Sequence, residues 1–83
     1  MRIEKLVHMA NDISAFFGAE PDSSLAAHGV AEHLRKFWAP SMREQIIAHN
    51  REGGGGMTEL VKAAVKLLDQ DTSSATSSRW HAP

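Results

Sequence analysis

Helix breakers divide this short chain into segments with the apolar spacing of amphipathic helices. Gly18 with Pro21, then Pro40, then the four glycines at positions 53–56 lie between stretches whose apolar side chains recur every three or four residues. Proline and consecutive glycines are poorly tolerated inside a helix. No stretch shows the apolar and polar alternation of a half-buried strand. The sequence therefore predicts an all-α fold, a small bundle of four short helices.

The predicted helices have recognisable starts and ends. They cover about residues 2–17, residues 24–38, residue 42 to the glycine run, and residues 58–68. We expect Gly18 to end the first helix in the left-handed conformation. Asp22 or Ser23 is expected to cap the second helix. A Ser41 hydroxyl followed by Glu44 predicts a capping box at the start of the third.

Two residues of the second helix lead to separate predictions. Gly29 lies on the flank of the apolar stripe, where a neighbouring backbone could come close. His33 lies next to Leu34 and is expected to be half buried, as a histidine beside an apolar stripe commonly is.

The end of the chain has a different composition from the rest. Residues 70–83 are rich in serine and threonine, and such a stretch does not bury enough apolar surface to offset its ordering entropy. The predicted organisation is a helical domain at residues 1–69 and a disordered tail at 70–83. The sequence Arg79-Trp80-His81 within this tail is either a docking peptide or an unselected terminus.

Charge and cysteine content exclude several classes of protein. Nine Lys and Arg face ten Asp and Glu, a net charge of −1, which argues against a protein that wraps nucleic acid or an anionic membrane. With no cysteine, disulfides, thiolate catalysis and iron–sulfur ligation are excluded. No stretch approaches the roughly 20 apolar residues of a membrane span. We expect a soluble protein of the reducing cytoplasm.

Candidate chemical sites are weak throughout the sequence. His8 with Asp12, and His28 with Glu32, have the i, i+4 spacing of one helical face, but two ligands do not make a metal site. The glycine run is not followed by the Gly-Lys-Ser/Thr of a phosphate-binding loop, and no nucleophile elbow occurs. The sequence predicts no catalytic, cofactor-binding or metal residue in this chain.

The stretch from Leu34 to Arg43 carries the strongest indication of an interaction surface. Phe37 and Trp38 are adjacent, and adjacent helical positions point about 100° apart, so one ring is expected in the core and the other on a partner. The working hypothesis takes Trp38 as the outside ring. The alternative is that the rings close the core and the cations are solvated. The candidate interface residues are Arg35, Lys36, Phe37, Trp38, Pro40, Met42 and Arg43.

Three groups of residues together resemble a known family. They are residues 9–13 with Phe16 and Phe17, His33 with residues 37–38 and 40–43, and His49 with residues 60–65. In these groups the chain is similar to the delta subunit of the cytoplasmic, NAD-dependent, molybdenum-containing formate dehydrogenases. That family often has an acidic residue at the position of Ala39, which would cap a helix beginning at Pro40.

The resemblance implies an accessory role. It implies a non-catalytic subunit that supports assembly or quaternary stability by docking on the large (alpha) subunit, in a complex with beta and gamma subunits. That complex is expected to hold bis-molybdopterin guanine dinucleotide, iron–sulfur clusters, FMN and NAD, and the delta chain to bind none of them. Two alternatives stay open. One is a metal-binding protein, and the other is a helical nucleic-acid-binding module with phosphate contacts from Arg35, Lys36, Arg43 and Arg51.

Overall fold

A computed structural model of the chain describes the backbone of residues 2–81 and the side chains of residues 2–70. Its four helices are α1 (Ile3–Phe17), α2 (Ser23–Phe37), α3 (Pro40–Arg51) and α4 (Glu59–His81). The predicted all-α class with four helices is confirmed, and every helix begins within two residues of its predicted start. α4 continues past the predicted helix end at residue 68 into the predicted tail, whose side chains beyond Gln70 lie outside the described ones. The disorder of the tail, its docking peptide and the domain boundary at residue 69 stay predictions.

The connector between α1 and α2 agrees with one prediction and corrects another. The Asp22 carboxylate accepts hydrogen bonds from the backbone N–H groups of Ser24 and Leu25, which confirms it as the cap of α2. Gly18 is not left-handed, because its φ is −65°. The helix instead ends by tightening, since the Gly18 N–H donates to the carbonyl of Ala15 at 3.2 Å.

The start of α3 differs from the predicted capping box. Ala39 is the N-cap and Pro40 is the first helical residue, with no side-chain capping bond. Proline suits that position because its φ is already helical and its missing N–H would have had no helical partner. The Ala39 carbonyl accepts from the N–H groups of Met42 and Arg43, so Ser41 lies inside the first turn and cannot cap it.

The core lies where α2 packs between α1 and α4, with α3 against α1 and α4. Burying an aliphatic side chain of this kind contributes about 1.5–3 kcal/mol relative to exposure. The largest fully buried side chains come from all four helices: Leu6, Val30, Leu34, Ile46, Val61 and Val65.

The close approach predicted at Gly29 is made by a side chain and not by a backbone. A Cβ on Gly29 would lie 2.6 Å from Cε1 of Phe17, so the Phe17 ring fills the space that a larger residue would need. This contact sets how closely α1 and α2 approach at the Phe17 end.

The glycine run ends α3, as predicted. The Gly53 N–H donates to the carbonyl of Asn50 at 3.1 Å, and the Gly54 N–H donates to that of His49 at 3.0 Å. These two bonds form a Schellman motif, which needs a residue of positive φ just past the helix. Gly53 has φ +115° and Gly54 has φ +63°, which explains why glycine occupies these positions.

One asparagine ties α1 to the loop that precedes α4. Asn11 Nδ2 donates to the carbonyl of Gly56 at 2.9 Å, and its Oδ1 accepts from the N–H of Thr58 at 3.1 Å. The Thr58 hydroxyl accepts from the N–H of Val61 and lies 3.2 Å from the hydroxyl of the buried Ser14. The first and last helices are therefore joined by hydrogen bonds as well as by apolar packing. In the part of the chain that the structure describes, no helix is both long and apolar enough to span a membrane.

Candidate functional site

The two adjacent rings at the α2–α3 corner have opposite environments. Trp38 is 5% exposed and packs in the core, whereas Phe37 is 72% exposed. The prediction that one ring is buried and the other is not is confirmed, but Trp38 as the outside ring is wrong. Phe37 is the last residue of α2, and Trp38 has an extended backbone (φ −89°, ψ 141°) that turns the chain inward.

Arg43 holds the same corner from the α3 side. Its Nη1 donates to the carbonyl of Arg35 at 2.8 Å and to that of Trp38 at 3.0 Å. The last carbonyls of a helix have no intrahelical donor, and Pro40 lacks an N–H that could supply one. The half-buried Arg43 side chain therefore binds within its own chain.

The other predicted interface residues vary in exposure. Arg35 pairs with Glu32 on the same helix, and the Lys36 ammonium lies 3.9 Å from Oε1 of that carboxylate. Among the seven candidates, Lys36, Phe37 and Pro40 are exposed, Arg35, Met42 and Arg43 are half-buried, and Trp38 is buried. A partner can therefore reach only part of the predicted set, and no observation yet places one there.

A second exposed ring lies along the same face of the molecule. Phe16 is 83% exposed, and its ring centroid lies 5.5 Å from that of Phe17 in an edge-to-face arrangement. Asp12, Ile13, Phe16, Phe17 and His33 line an open groove of about 360 Å³. The His33 ring continues the face to α2, because its centroid is 4.8 Å from that of Phe37. We name Ile13, Phe16, Phe17, His33 and Phe37 the aromatic surface.

Sequence reasoning missed Phe16 and anticipated His33. His33 is half-buried, as predicted. Phe16 is not among the candidate interface residues, yet it points away from the core. The 100° argument that separates Phe37 from Trp38 applies equally to Phe16 and Phe17, so the signal was present in the sequence.

The aromatic surface is suited to a protein contact. Small monomers rarely leave large rings together in water, and exposed apolar patches of this kind mark interaction sites. Charges border it at both ends: Asp12 lies 3.5 Å from His8 on α1, and Lys36 is 68% exposed on α2. The face thus offers apolar contact in its middle and polar contacts at its rim, which is the usual anatomy of an interface.

The remaining candidate residues serve the fold. His49 Nε2 lies 2.8 Å from the carbonyl of Gly55, within the glycine loop. Arg51 makes a two-point pair with Asp69, and this hydrogen bond and charge raise the pKa of Arg51. Among the residues that the structure describes, no three His, Asp or Glu side chains come together as a metal site.

A second groove lies between α2 and α4. It encloses about 560 Å³, and its apolar lining includes Ala27, Leu60, Ala63 and Leu67. Glu59 and Lys66 also line it. Its apolar residues are aliphatic, in contrast with the rings of the aromatic surface.

Comparison with known protein families gives a match over most of the chain. The family described as NADH-dependent formate dehydrogenase delta subunit FdsD matches residues 5–65. This range contains the aromatic surface, the α2–α3 corner and the glycine loop. No curated protein and no solved structure matches the chain. Because the matched range spans well over half of its length, the chain belongs to the family of formate dehydrogenase delta subunits.

Proposed function

We propose that this chain is a non-catalytic accessory subunit that docks, through its aromatic surface, on the large subunit of a cytoplasmic NAD-dependent formate dehydrogenase. The family match supports membership of such a complex. The observation that carries the docking assignment is the pair of exposed rings, Phe16 and Phe37, at the two ends of one apolar face.

The energetics favour these two rings as anchors. Covering a Phe side chain completely contributes about 1.5–3 kcal/mol before the costs of association. Both rings are held by neighbours within the chain, Phe16 by Phe17 and Phe37 by His33. A ring that is already placed loses less conformational freedom on binding, so more of its burial appears as affinity.

The chemistry of the complex is assigned to other subunits. With no cysteine, the chain has no thiolate for an iron–sulfur cluster. We propose that the large subunit holds bis-molybdopterin guanine dinucleotide and iron–sulfur centres, and that the beta and gamma subunits carry FMN and reduce NAD. The delta chain then acts by stabilising the assembly, because a partner that binds only the folded state shifts the folding equilibrium towards it.

The nucleic-acid alternative loses its proposed phosphate contacts. Arg43 bonds to backbone carbonyls, and Arg51 pairs with Asp69. Arg35 and Lys36 both pair with Glu32. A phosphate would have to compete with each of these bonds. We therefore retain the docking function alone.

The experiment that tests the proposal is a titration of the large subunit with single variants of the chain. Phe37→Ala and Phe16→Ala are each expected to weaken binding about tenfold or more, as truncation of an interface anchor does. Leu25→Ala is the matched control, because Leu25 is 59% exposed but does not line the aromatic surface. Its affinity should equal that of the unchanged chain.

Circular dichroism of each isolated variant shows whether its helices persist. Affinity equal to that of the unchanged chain in both Phe variants, with helices intact, would contradict the docking assignment. A loss of affinity in Leu25→Ala as large as in the Phe variants would also contradict the docking assignment, because the loss would then not be confined to the aromatic surface.

A further inference from the structure

We infer that Arg43 is a positioning residue for docking: it holds Phe37 in its exposed place by tying α3 to the open end of α2. This inference depends on the proposed function, since it concerns the same surface. It differs from the sequence hypothesis, in which Arg43 itself meets the partner.

Arg43 supplies a hydrogen-bond donor to carbonyls at the open end of α2. The Trp38 N–H donates to the carbonyl of Leu34, which is the last helical bond of α2. The carbonyls of Arg35 and Trp38 follow, and Nη1 of Arg43 donates to both, at 2.8 and 3.0 Å. A hydrogen bond from a charged donor is stronger than a neutral one, and a cation at a helix C-terminus interacts favourably with the helix dipole.

Phe37 lies between Arg35 and Trp38, the two residues whose carbonyls accept from Arg43. The bonds from Arg43 therefore hold the backbone on both sides of Phe37. Trp38 is anchored further by its ring, which is 5% exposed in the core. On the outer side the Phe37 ring lies against His33 at a centroid distance of 4.8 Å. The direction of Phe37 is thus set by a backbone that Arg43 holds from the next helix.

Positioning and direct contact predict different affinities when Arg43 and Phe37 are both replaced. If Arg43 acts through Phe37, replacing Arg43 weakens binding only while the Phe37 ring is present. If Arg43 contacts the partner itself, the loss of affinity from replacing Arg43 adds to the loss from replacing Phe37. A double-mutant cycle measures this coupling between Arg43 and Phe37 in binding.

The experiment titrates the large subunit with Arg43→Met, Phe37→Ala and the double variant. Methionine keeps an unbranched stem and removes the donors and the charge. Arg43→Met alone is expected to weaken binding about tenfold, and the double variant to bind no more weakly than Phe37→Ala. Fully additive losses would overturn the inference, and so would an Arg43→Met affinity equal to that of the unchanged chain.

A conservative variant and a matched control complete the experiment. Arg43→Lys keeps the charge and N–H donors, so it is expected to bind more tightly than Arg43→Met; equal affinities would overturn the hydrogen-bonding mechanism. Arg51→Met removes an arginine that pairs with Asp69 on the surface and should bind normally. If Arg43→Met does not fold, Arg43→Gln, which removes the charge, replaces it in the cycle with Phe37→Ala, with the same expected non-additivity.

The outcomes distinguish the two proposals. Affinity equal to that of the unchanged chain in Phe37→Ala would overturn both the docking surface and the inference. Weakened binding in Phe37→Ala with additive losses in the cycle would overturn the role of Arg43 alone.

Discussion

The two corners on either side of α3 each turn the chain from one helix into the next, but different parts of the chain hold them. Between α2 and α3, side chains hold the turn: Trp38 enters the core and Arg43 bonds back to α2. Between α3 and α4, the backbone forms the turn through glycines of positive φ, and Asn11 of α1 closes it. The first corner leaves a large ring, Phe37, in water. The second turns its polar groups towards its own chain and serves the fold, whereas the first also exposes a ring that we propose to dock on a partner.

The largest expected effect is a difference in stability between variants of the two rings at the first corner, Trp38 and Phe37. Trp38→Ala should lower the free energy of unfolding by about 3–5 kcal/mol, because it removes a buried aromatic side chain. A core of this size typically supplies about 3–5 kcal/mol in total, so the variant should lose most of its helical signal. Phe37→Ala, at an exposed site, should change the unfolding free energy by less than about 1 kcal/mol.

Urea unfolding of the full chain, followed by circular dichroism, measures both variants. Cooperative unfolding of Trp38→Ala close to that of the unchanged chain would show that the core does not depend on this corner, and the contrast between the rings would fail.

The second effect tests whether the glycine corner is set by its backbone. Gly54→Ala should cost about 1–3 kcal/mol, because φ is +63° and the new Cβ would lie 2.9 Å from Oδ1 of Asn50. Gly55→Ala is the matched control, with no atom within 4 Å of its Cβ and no positive φ. Thermal unfolding of the two variants gives the comparison, and equal melting temperatures would argue against a backbone-built turn.

A third, smaller effect concerns the side chain that closes the glycine corner. Asn11→Ala should lower the unfolding free energy by about 1–2 kcal/mol, because the Gly56 carbonyl and the Thr58 N–H lose their partner. Asp12→Ala removes a neighbouring exposed carboxylate and should change stability less. The denaturant midpoints of the two variants give the comparison. A larger loss of stability in Asp12→Ala than in Asn11→Ala would contradict the role of Asn11 in closing this corner.

The smallest effect is expected where α3 ends on the surface. Arg51 pairs with Asp69, which raises the pKa of Arg51, so this contribution is present at neutral pH and lost only at strongly alkaline pH. Arg51 is largely in water although Asp69 is half-buried, and Arg51→Met should therefore destabilise less than Asn11→Ala. The destabilisation caused by Arg51→Met should be smaller in 1 M salt, because salt screens exposed ion pairs. A loss that salt leaves unchanged would contradict a surface ion pair.

The fold was predictable from the sequence where a single residue decides the local backbone. Pro40 and the glycine run mark two of the three breaks between helices, and Asp22 caps α2 as its type suggests. The errors at Gly18 and Ser41 have one cause. At each site two local motifs compete, and the sequence does not show which one forms. α1 ends in a tightened turn and not in a left-handed glycine. α3 begins with Pro40 as its first residue and not with a capping box.

The candidate site was predictable only in part, because it depends on contacts between helices. Adjacent aromatic residues indicate that one ring faces outward, but which one follows from the backbone at the helix end, as at Trp38. The role of Arg43 required the position of α2 carbonyls relative to α3. Phe16 and Phe37 share a face only because His33 lies next to Phe37 and lines the groove with Phe16.

The hydrogen bonds of Asn11 also determine when the chain can finish folding. Their partners, Gly56 and Thr58, lie 45 and 47 residues further along the sequence. As the chain leaves the ribosome, α1 can form early, but it reaches these bonds only after Gly56 and Thr58 have been synthesised. Contacts so distant in sequence slow folding, because the intervening loop must close first. Until then, the apolar face of α1 has no complete binding partner within its own chain.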